Sequence, residues 1–88
     1  MKPKVKQDAS RRMSRIVGQV AGIKSMVEEE RYCVDILDQI AAARAALSQV
    51  AMIVLRGHLE TCVTDAVRRG RAKTLFDELD EALPRFFR

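Results

Sequence analysis

The sequence predicts an all-α protein, and three observations support this class. Apolar residues recur at intervals of three or four, which is the spacing of a buried helical face. Strict alternation of apolar and polar residues is absent from the central stretch, so a β-strand is excluded there. No proline interrupts the nearly forty residues from Arg31 to Arg69. We therefore expect three helices of unequal length, with one long central helix.

The first helix is expected to begin near Asp8 or Ser10, because either side chain can cap a helix N-terminus. Residues 1–8 before it are expected to form a flexible basic tail. The acidic run 28–30 marks the break before the second helix. A single apolar stripe runs along the first helix and consists of Met13, Ile16, Val20, Ile23 and Val27.

The central helix, from Arg31 to about Arg69, contains both cysteines and the only histidine. Gly57 is its one weak interior position, and a glycine there costs about 1 kcal/mol without ending the helix. Gly70 follows two arginines and is expected to cap the C-terminus. The apolar and small positions of this helix are Leu37, Ile40, Leu47, Ala51, Val54, Leu55, Leu59, Val63 and Ala66.

A short third helix follows and is expected to end at Pro84, leaving residues 84–88 as a C-terminal tail. The unequal lengths of the three predicted helices and the absence of a recognition-helix turn exclude an ordinary helix-turn-helix. One side of this helix is apolar and the other acidic, through Leu75, Phe76, Leu79 and Leu83 and through Asp77, Glu78, Asp80 and Glu81.

Cys33, His58 and Cys62 fall on one face of the central helix. At about 100° per residue, the steps from Cys33 to His58 return to within about 20° of the same direction, and Cys62 lies one turn further. Along the axis, however, Cys33 and His58 are about 37 Å apart at about 1.5 Å per residue, so one chain cannot bring them together. Two antiparallel copies, with a twofold axis near Ala46 or Leu47, would form two identical sites.

Two thiolates and one imidazole make a soft, three-coordinate ligand set, which favours Cu(I), whereas zinc ordinarily takes a fourth ligand. Buried cysteines that act only as small apolar residues are the alternative interpretation. An enzyme is not expected, because the chain shows no third group to orient a Cys33–His58 pair and no substrate pocket.

The chain of 88 residues is expected to be a single domain, whose small core favours oligomerisation. Its start is polar and basic, and no run of 18 apolar residues occurs, so we expect a cytoplasmic protein without a signal peptide or membrane span. In that reducing compartment, the two cysteines are expected to be free thiols, redox sites or metal ligands.

The net charge of +4 is unevenly distributed. Residues 1–24 carry seven basic residues against one acidic residue, Asp8, which gives that segment a net charge of +6. Solvated surface charge is one interpretation, and binding of a polyanion through phosphate contacts is the other. An anionic membrane is disfavoured, because the apolar face of this segment has no Trp or Phe. A second basic cluster follows the long helix and consists of Arg68, Arg69, Arg71 and Lys73.

Three segments resemble the copper-sensing repressor family, often called CsoR/RcnR: RRMSRIVGQVAGI, RYCVDILDQIAAARAAL and HLETCV. The resemblance covers about residues 10 to 83. It implies an all-α antiparallel dimer that pairs into a flat, dimer-of-dimers tetramer and binds operator DNA without a standard motif. In that family the metal-free tetramer represses, and binding of the effector weakens the DNA complex.

The resemblance also assigns residues. The copper branch of the family uses a Cys-His-Cys set across the dimer, matched by Cys33, His58 and Cys62, with surrounding contacts matched by Tyr32 and Glu78. We expect Arg11, Arg12 and Arg15 to contact DNA. Many members have a basic residue where this chain has Gln49, so its operator contacts can differ, or Arg44 and Arg56 can compensate.

The chain departs from the other sensors of the family. Nickel and cobalt sensors have additional histidines, persulfide sensors lack the histidine, and formaldehyde sensors have proline directly after the initiator methionine, where this chain has Lys2. The sequence thus predicts a Cu(I)-responsive repressor of copper-resistance or efflux genes. Two alternatives remain open: a repressor of the same family that senses persulfide or oxidant through Cys33 and Cys62, and a cytoplasmic copper buffer or helical adaptor without DNA binding.

Overall fold

The computed structural model describes residues 1–86, and these residues form three helices and no strand. The first helix, α1, spans Pro3–Glu28; the central helix, α2, spans Cys33–Arg68; and the third, α3, spans Ala72–Phe86. Within the described residues, the predictions of an all-α fold and of one long central helix are therefore confirmed.

The start of α1 differs from the expectation. The helix begins at Pro3 rather than near Asp8 or Ser10, so most of the expected tail 1–8 is helical. Proline suits the first helical position, since its fixed φ is already helical and its missing N–H needs no partner there. The first turn also packs on α2: Val5 lies against Gly57, and Lys2 Nζ is 3.4 Å from Glu60 Oε2.

α1 and α2 end in the same hydrogen-bonded motif. After α1, Glu30 N–H donates to Val27 O at 3.1 Å, and Arg31 N–H donates to Met26 O at 2.9 Å. After α2, the equivalent bonds join Gly70 to Val67 and Arg71 to Ala66, at 3.2 and 2.7 Å. The turning residue has positive φ in each case, 53° for Glu30 and 68° for Gly70. The predicted cap at Gly70 is confirmed.

The core of a single chain is small. α1 packs antiparallel on α2, and the buried residues Ala9, Ile16 and Val50 form a cluster with the partly buried Ala46, Ile53 and Val54. Seven other apolar side chains of the two predicted stripes are at least 38% exposed: Met13, Val20, Val27, Leu37, Ile40, Leu47 and Leu59.

The overall dimensions explain this exposure. The described chain measures 54 × 28 × 14 Å, and its shortest dimension is little more than the diameter of one helix, about 10–12 Å. The three helices thus form a single layer, whereas stable domains bury apolar faces between two layers. The exposed apolar side chains are so numerous that a partner is expected to cover them.

α3 continues past the position where the sequence predicted its end. Pro84 lies inside the helix, which the structure describes as far as Phe86; Phe87 and Arg88 of the expected tail lie outside the described residues. Proline here disturbs only the final turn. That turn is also bridged by an ion pair of 2.9 Å between Arg85 and Glu81.

α2 is long and apolar enough, by length and composition alone, to cross a membrane, with a window of mean hydropathy 1.3. This is weak evidence for a span, because the core helix of a soluble protein meets the same criterion. An interface between copies of the chain requires the same kind of exposed apolar surface.

Candidate functional site

His58 and Cys62 form the centre of the candidate metal site. His58 is the last residue of the first α-helical part of α2, Cys33–His58, and Cys62 lies in a π-helical turn, Leu59–Val63. Their side chains face each other one turn apart, with Nδ1 of His58 3.2 Å from Sγ of Cys62. Both belong to one long helix, so their relative position is set by the backbone.

This distance suits two ligands of one metal ion. With bonds of about 2.0 Å to nitrogen and about 2.3 Å to sulfur, ligands at tetrahedral or trigonal angles lie about 3.5–3.7 Å apart. His58 and Cys62 therefore need to separate by only a few tenths of an ångström to bind a metal together. Metal binding by such a pair requires a thiolate and a neutral imidazole.

Cys33 lies far from this pair. It is the first residue of α2 and is exposed, about 37 Å from His58 at about 1.5 Å per residue. Among residues 1–86, no group of three or more His, Cys, Asp or Glu side chains is placed to hold a metal ion. The structure thus brings together two of the three predicted ligands and leaves the third at the other end of the helix.

The two residues predicted to surround the site are also far apart, one near each end of α2. Glu78 on α3 lines a shallow cavity of about 230 Å³ together with Cys62. Tyr32 precedes Cys33 and is 67% exposed. One end of α2 therefore carries Tyr32 and Cys33, and the other carries His58 and Cys62 with Glu78 nearby.

An apolar groove of about 440 Å³ lies between α2 and α3, and His58 and Cys62 form part of its wall. Leu75, Leu79 and Leu83 contribute one side, as the sequence predicted for α3, but Phe76 is 52% exposed and lies outside it. The remaining wall residues are Ala51, Met52, Val54, Leu55, Leu59, Ala82 and Phe86.

Two features beside the pair were not predicted. The first is the π-helical turn, which adds a residue within the helix and lies where functional sites often have such turns. The second is the first turn of α1, which contacts both Gly57 and Glu60. Gly57 next to the only histidine was a signal for the second feature, since glycine permits close backbone approach. The apolar periodicity gave no signal for the first.

The candidate DNA-binding arginines lie along α1. One carboxylate oxygen of Asp8 accepts hydrogen bonds from Arg12 Nε at 3.1 Å and from Arg11 Nη2 at 3.3 Å. The Arg12 bond is the main reason why the pKa of Asp8 is below its usual value. Arg15 has no ion pair within residues 1–86.

Gln49 acquires a structural role that the sequence did not show. Its Oε1 accepts a hydrogen bond of 3.4 Å from Arg12 Nη1, which links α1 to α2. The residue at this commonly basic position therefore contacts one of the candidate DNA-binding arginines.

An all-helical chain with a soft-ligand pair and a separate arginine surface has the parts of a metal-responsive DNA-binding protein. A family model described as a metal-sensitive transcriptional repressor matches residues 5–85. The chain belongs to this family of metal-sensitive transcriptional repressors. Its members are not enzymes, and they bind operator DNA as oligomers.

Individual relatives agree with this assignment. The chain is 45% identical over 83 residues to the copper-sensing transcriptional repressor CsoR of Bacillus subtilis, which covers 94% of this chain and 82% of that protein. The crystal structure of the copper-sensing repressor CsoR with Cu(I) from Geobacillus thermodenitrificans superposes with a TM-score of 0.89 at 40% identity, covering 100% of this chain and 92% of the other. The nickel-responsive transcriptional regulator InrS gives a TM-score of 0.72 at 44% identity, covering 91% and 90%.

Proposed function

We propose that this chain is a Cu(I)-responsive transcriptional repressor whose metal site joins two protomers. His58 and Cys62 of one protomer and Cys33 of another are the ligands. The observation that carries this proposal is the 3.2 Å pair of His58 and Cys62 in the C-terminal part of a long helix that has Cys33 as its first residue. An antiparallel dimer with its twofold axis near residues 46 and 47 forms two such sites.

The ligand chemistry favours copper over the other metals of the family. Two sulfur atoms and one nitrogen are soft donors, which suit Cu(I) and not the hard cations that take oxygen. Two of the similar proteins are copper sensors. The nickel-responsive relative is similar in fold, but this chain has a single histidine and thus lacks the additional histidines expected of a nickel sensor.

Glu78 and Tyr32 are proposed to position His58. Its Nδ1 faces Cys62, which leaves Nε2 free for a hydrogen bond to a neighbouring residue. In the dimer, Tyr32 of one protomer arrives with Cys33 beside the other protomer's Glu78, which already lines a cavity with Cys62. A hydrogen bond from such a neighbour fixes the ring and ties it to α3.

The link to DNA passes through the contact between α1 and α2. Ile16 of α1 packs against Val50 of α2, and Arg12 donates to Gln49. A shift of α2 on closing the metal site therefore moves the arginines of α1. We propose that Arg11, Arg12 and Arg15 contact operator DNA in a cytoplasmic homotetramer, and that closing the site favours a state with lower DNA affinity. Couplings of this kind change affinity by about 5- to 150-fold. Release from the operator then allows expression of copper-resistance or efflux genes.

The test is fluorescence anisotropy of the reduced protein on DNA from its own upstream region, titrated with Cu(I) under anaerobic conditions and a competing chelator. We expect release near one Cu(I) per chain and no release in Cys33→Ala or His58→Ala. Nickel in place of Cu(I) serves as the matched metal control and is expected to leave the complex intact.

Other outcomes lead to the alternatives. A complex that ignores Cu(I) but dissociates with persulfide or oxidant, also in His58→Ala, contradicts copper sensing and supports a dithiol switch of Cys33 and Cys62. Cu(I) binding without any DNA binding leaves only a copper buffer.

The DNA surface has its own test. Replacing Arg12 or Arg15 by Ala is expected to weaken DNA binding and to reduce the slope of log K against log salt by about 1 for each lost phosphate contact. Lys24→Ala is the matched control, because Lys24 lies on the same helix and pairs with Glu28 at 3.7 Å. Equal behaviour of the arginine variants and the control would contradict this surface.

A further inference from the structure

Asp8 is the only acidic residue among the first 24 residues of the chain. It lies within the arginine surface rather than beside it, and one of its oxygens bonds both Arg11 and Arg12 at 3.3 and 3.1 Å. Its side chain remains 34% exposed, so solvent or a ligand can reach the pair. Two of the three candidate DNA-binding arginines therefore share one internal counter-ion.

The bonded groups are the ones that a phosphate would use. Arg12 donates from Nε to Asp8 and from Nη1 to Gln49, so two of the directions of its guanidinium already have acceptors. A phosphate that approaches Arg11 or Arg12 must displace the carboxylate or lie next to its negative charge. Either event costs free energy at the step in which DNA binds.

We propose that Asp8 sets the affinity of the repressor for DNA by competing with phosphate groups for Arg11 and Arg12. This inference rests on the proposed DNA-binding role of those arginines. Its consequence is a limit on affinity: a regulator whose effector changes DNA binding by about 5- to 150-fold responds well only when the metal-free complex is not too tight. On release, the carboxylate pairs with the arginines again.

Asp8→Asn tests the inference, since it keeps a hydrogen-bond acceptor and removes the charge. We expect it to bind operator DNA about three- to tenfold more tightly at low salt, an effect of the size expected for one charge near exposed phosphates. The gain should shrink as salt rises, because exposed charges are screened. Asp8→Glu keeps the charge and is expected to bind as the wild type does.

Glu28→Gln is the matched control. It removes one negative charge and one ion pair, with Lys24 at 3.7 Å, from the other end of α1, about 30 Å away at about 1.5 Å per residue. We expect no change in its DNA binding. Circular dichroism of Asp8→Asn checks that α1 is intact, and Asp8→Ala provides a second variant without the charge.

The two proposals fail in different ways. If Asp8→Asn binds DNA more weakly than the wild type, or no more tightly than Glu28→Gln does, the role of Asp8 is overturned. If Arg12→Ala and Arg15→Ala bind DNA as tightly as Lys24→Ala, the arginine surface itself is wrong. A loss in the arginine variants combined with no gain in Asp8→Asn overturns only the inference about Asp8.

Discussion

The two ends of α2 are built differently. At the His58 end, the first turn of α1 lies over Gly57, the π-helical turn holds Cys62, and α3 closes an apolar groove. At the Cys33 end, the helix begins with an exposed cysteine, and nothing within residues 1–86 encloses it. The His58 end therefore holds two candidate ligands side by side, which is the preformed half of the proposed site, and the Cys33 end holds a single donor that a second copy would supply.

In the proposed site, this difference splits the free-energy cost of metal binding into two parts, one for each end of α2. His58 and Cys62 already lie 3.2 Å apart in the folded chain, so a metal ion in the proposed site would not have to bring these two side chains together. The remaining cost would be the approach of the proposed third ligand, Cys33 of another chain. We expect changes at the two ends to have different kinds of effect, and four predictions test this expectation.

The largest effect is expected from removing the cysteine at either end of α2, because each variant then keeps only one half of the proposed site. Cys33→Ala and Cys62→Ala should each lose Cu(I) affinity by more than about 100-fold, since even residues around a ligand are worth about 10- to 100-fold. Mixing the two variants and refolding them together should restore tight binding at about one quarter of the sites, because half of the dimers are mixed and each has one intact site. No recovery on mixing would contradict a site shared between two chains.

A smaller effect is expected from the surroundings of the preformed half. Glu78→Gln should raise the Cu(I) concentration needed to release DNA by about 10- to 100-fold while leaving DNA binding by the metal-free protein intact. Glu81→Gln, on the same helix and paired with Arg85 at 2.9 Å, is the charge-matched control. The same loss in both variants, measured by anisotropy, would remove Glu78 from the site.

Next comes the contact of α1 with the preformed half. A Cβ at residue 57 would lie 2.6 Å from Cγ1 of Val5, so Gly57→Ala should displace the first turn of α1. Overpacking of this kind costs about 1–3 kcal/mol, against about 1 kcal/mol gained in helix propensity. We expect a lower urea midpoint at fixed protein concentration, and recovery when Val5→Ala is added. A more stable Gly57→Ala would indicate that α1 does not press on this end.

The smallest effect compares the two turns that flank α2. Gly70 and Glu30 occupy equivalent left-handed positions, but only glycine does so without steric cost. Glu30→Gly is therefore expected to stabilise the protein by about 0.5–1 kcal/mol, and Gly70→Ala to destabilise it by a similar amount. Thermal unfolding measures both. Destabilisation by Glu30→Gly would mean that Glu30 makes a contact worth more than its strain.

Much of this molecule follows from local rules. The three helices, the break at residues 28–30 and the cap at Gly70 depend on periodicity and on turn residues, which act over a few positions. The start of α1 was placed too late, because a side-chain cap was expected near Asp8, whereas Pro3 and packing on Gly57 start the helix earlier. The end of α3 was placed too early for a related reason: a single proline in a last turn disturbs little.

The sequence by itself determined that Cys33, His58 and Cys62 share one helical face and that Cys33 is too far from His58 to join it in one chain, since both statements follow from the fixed rotation and rise of a helix. Only the tertiary structure decided that Val5 covers Gly57 and that Gln49 bonds Arg12. The three-dimensional structure also supplied the 3.2 Å distance between His58 and Cys62, the π-helical turn beside them, and the bond from Arg12 to Asp8. The contacts of Val5 with Gly57 and of Arg12 with Gln49 depend on how two helices cross. The π-helical turn and the bonds within one helix depend on local backbone and side-chain conformation, and apolar periodicity carries no information about either.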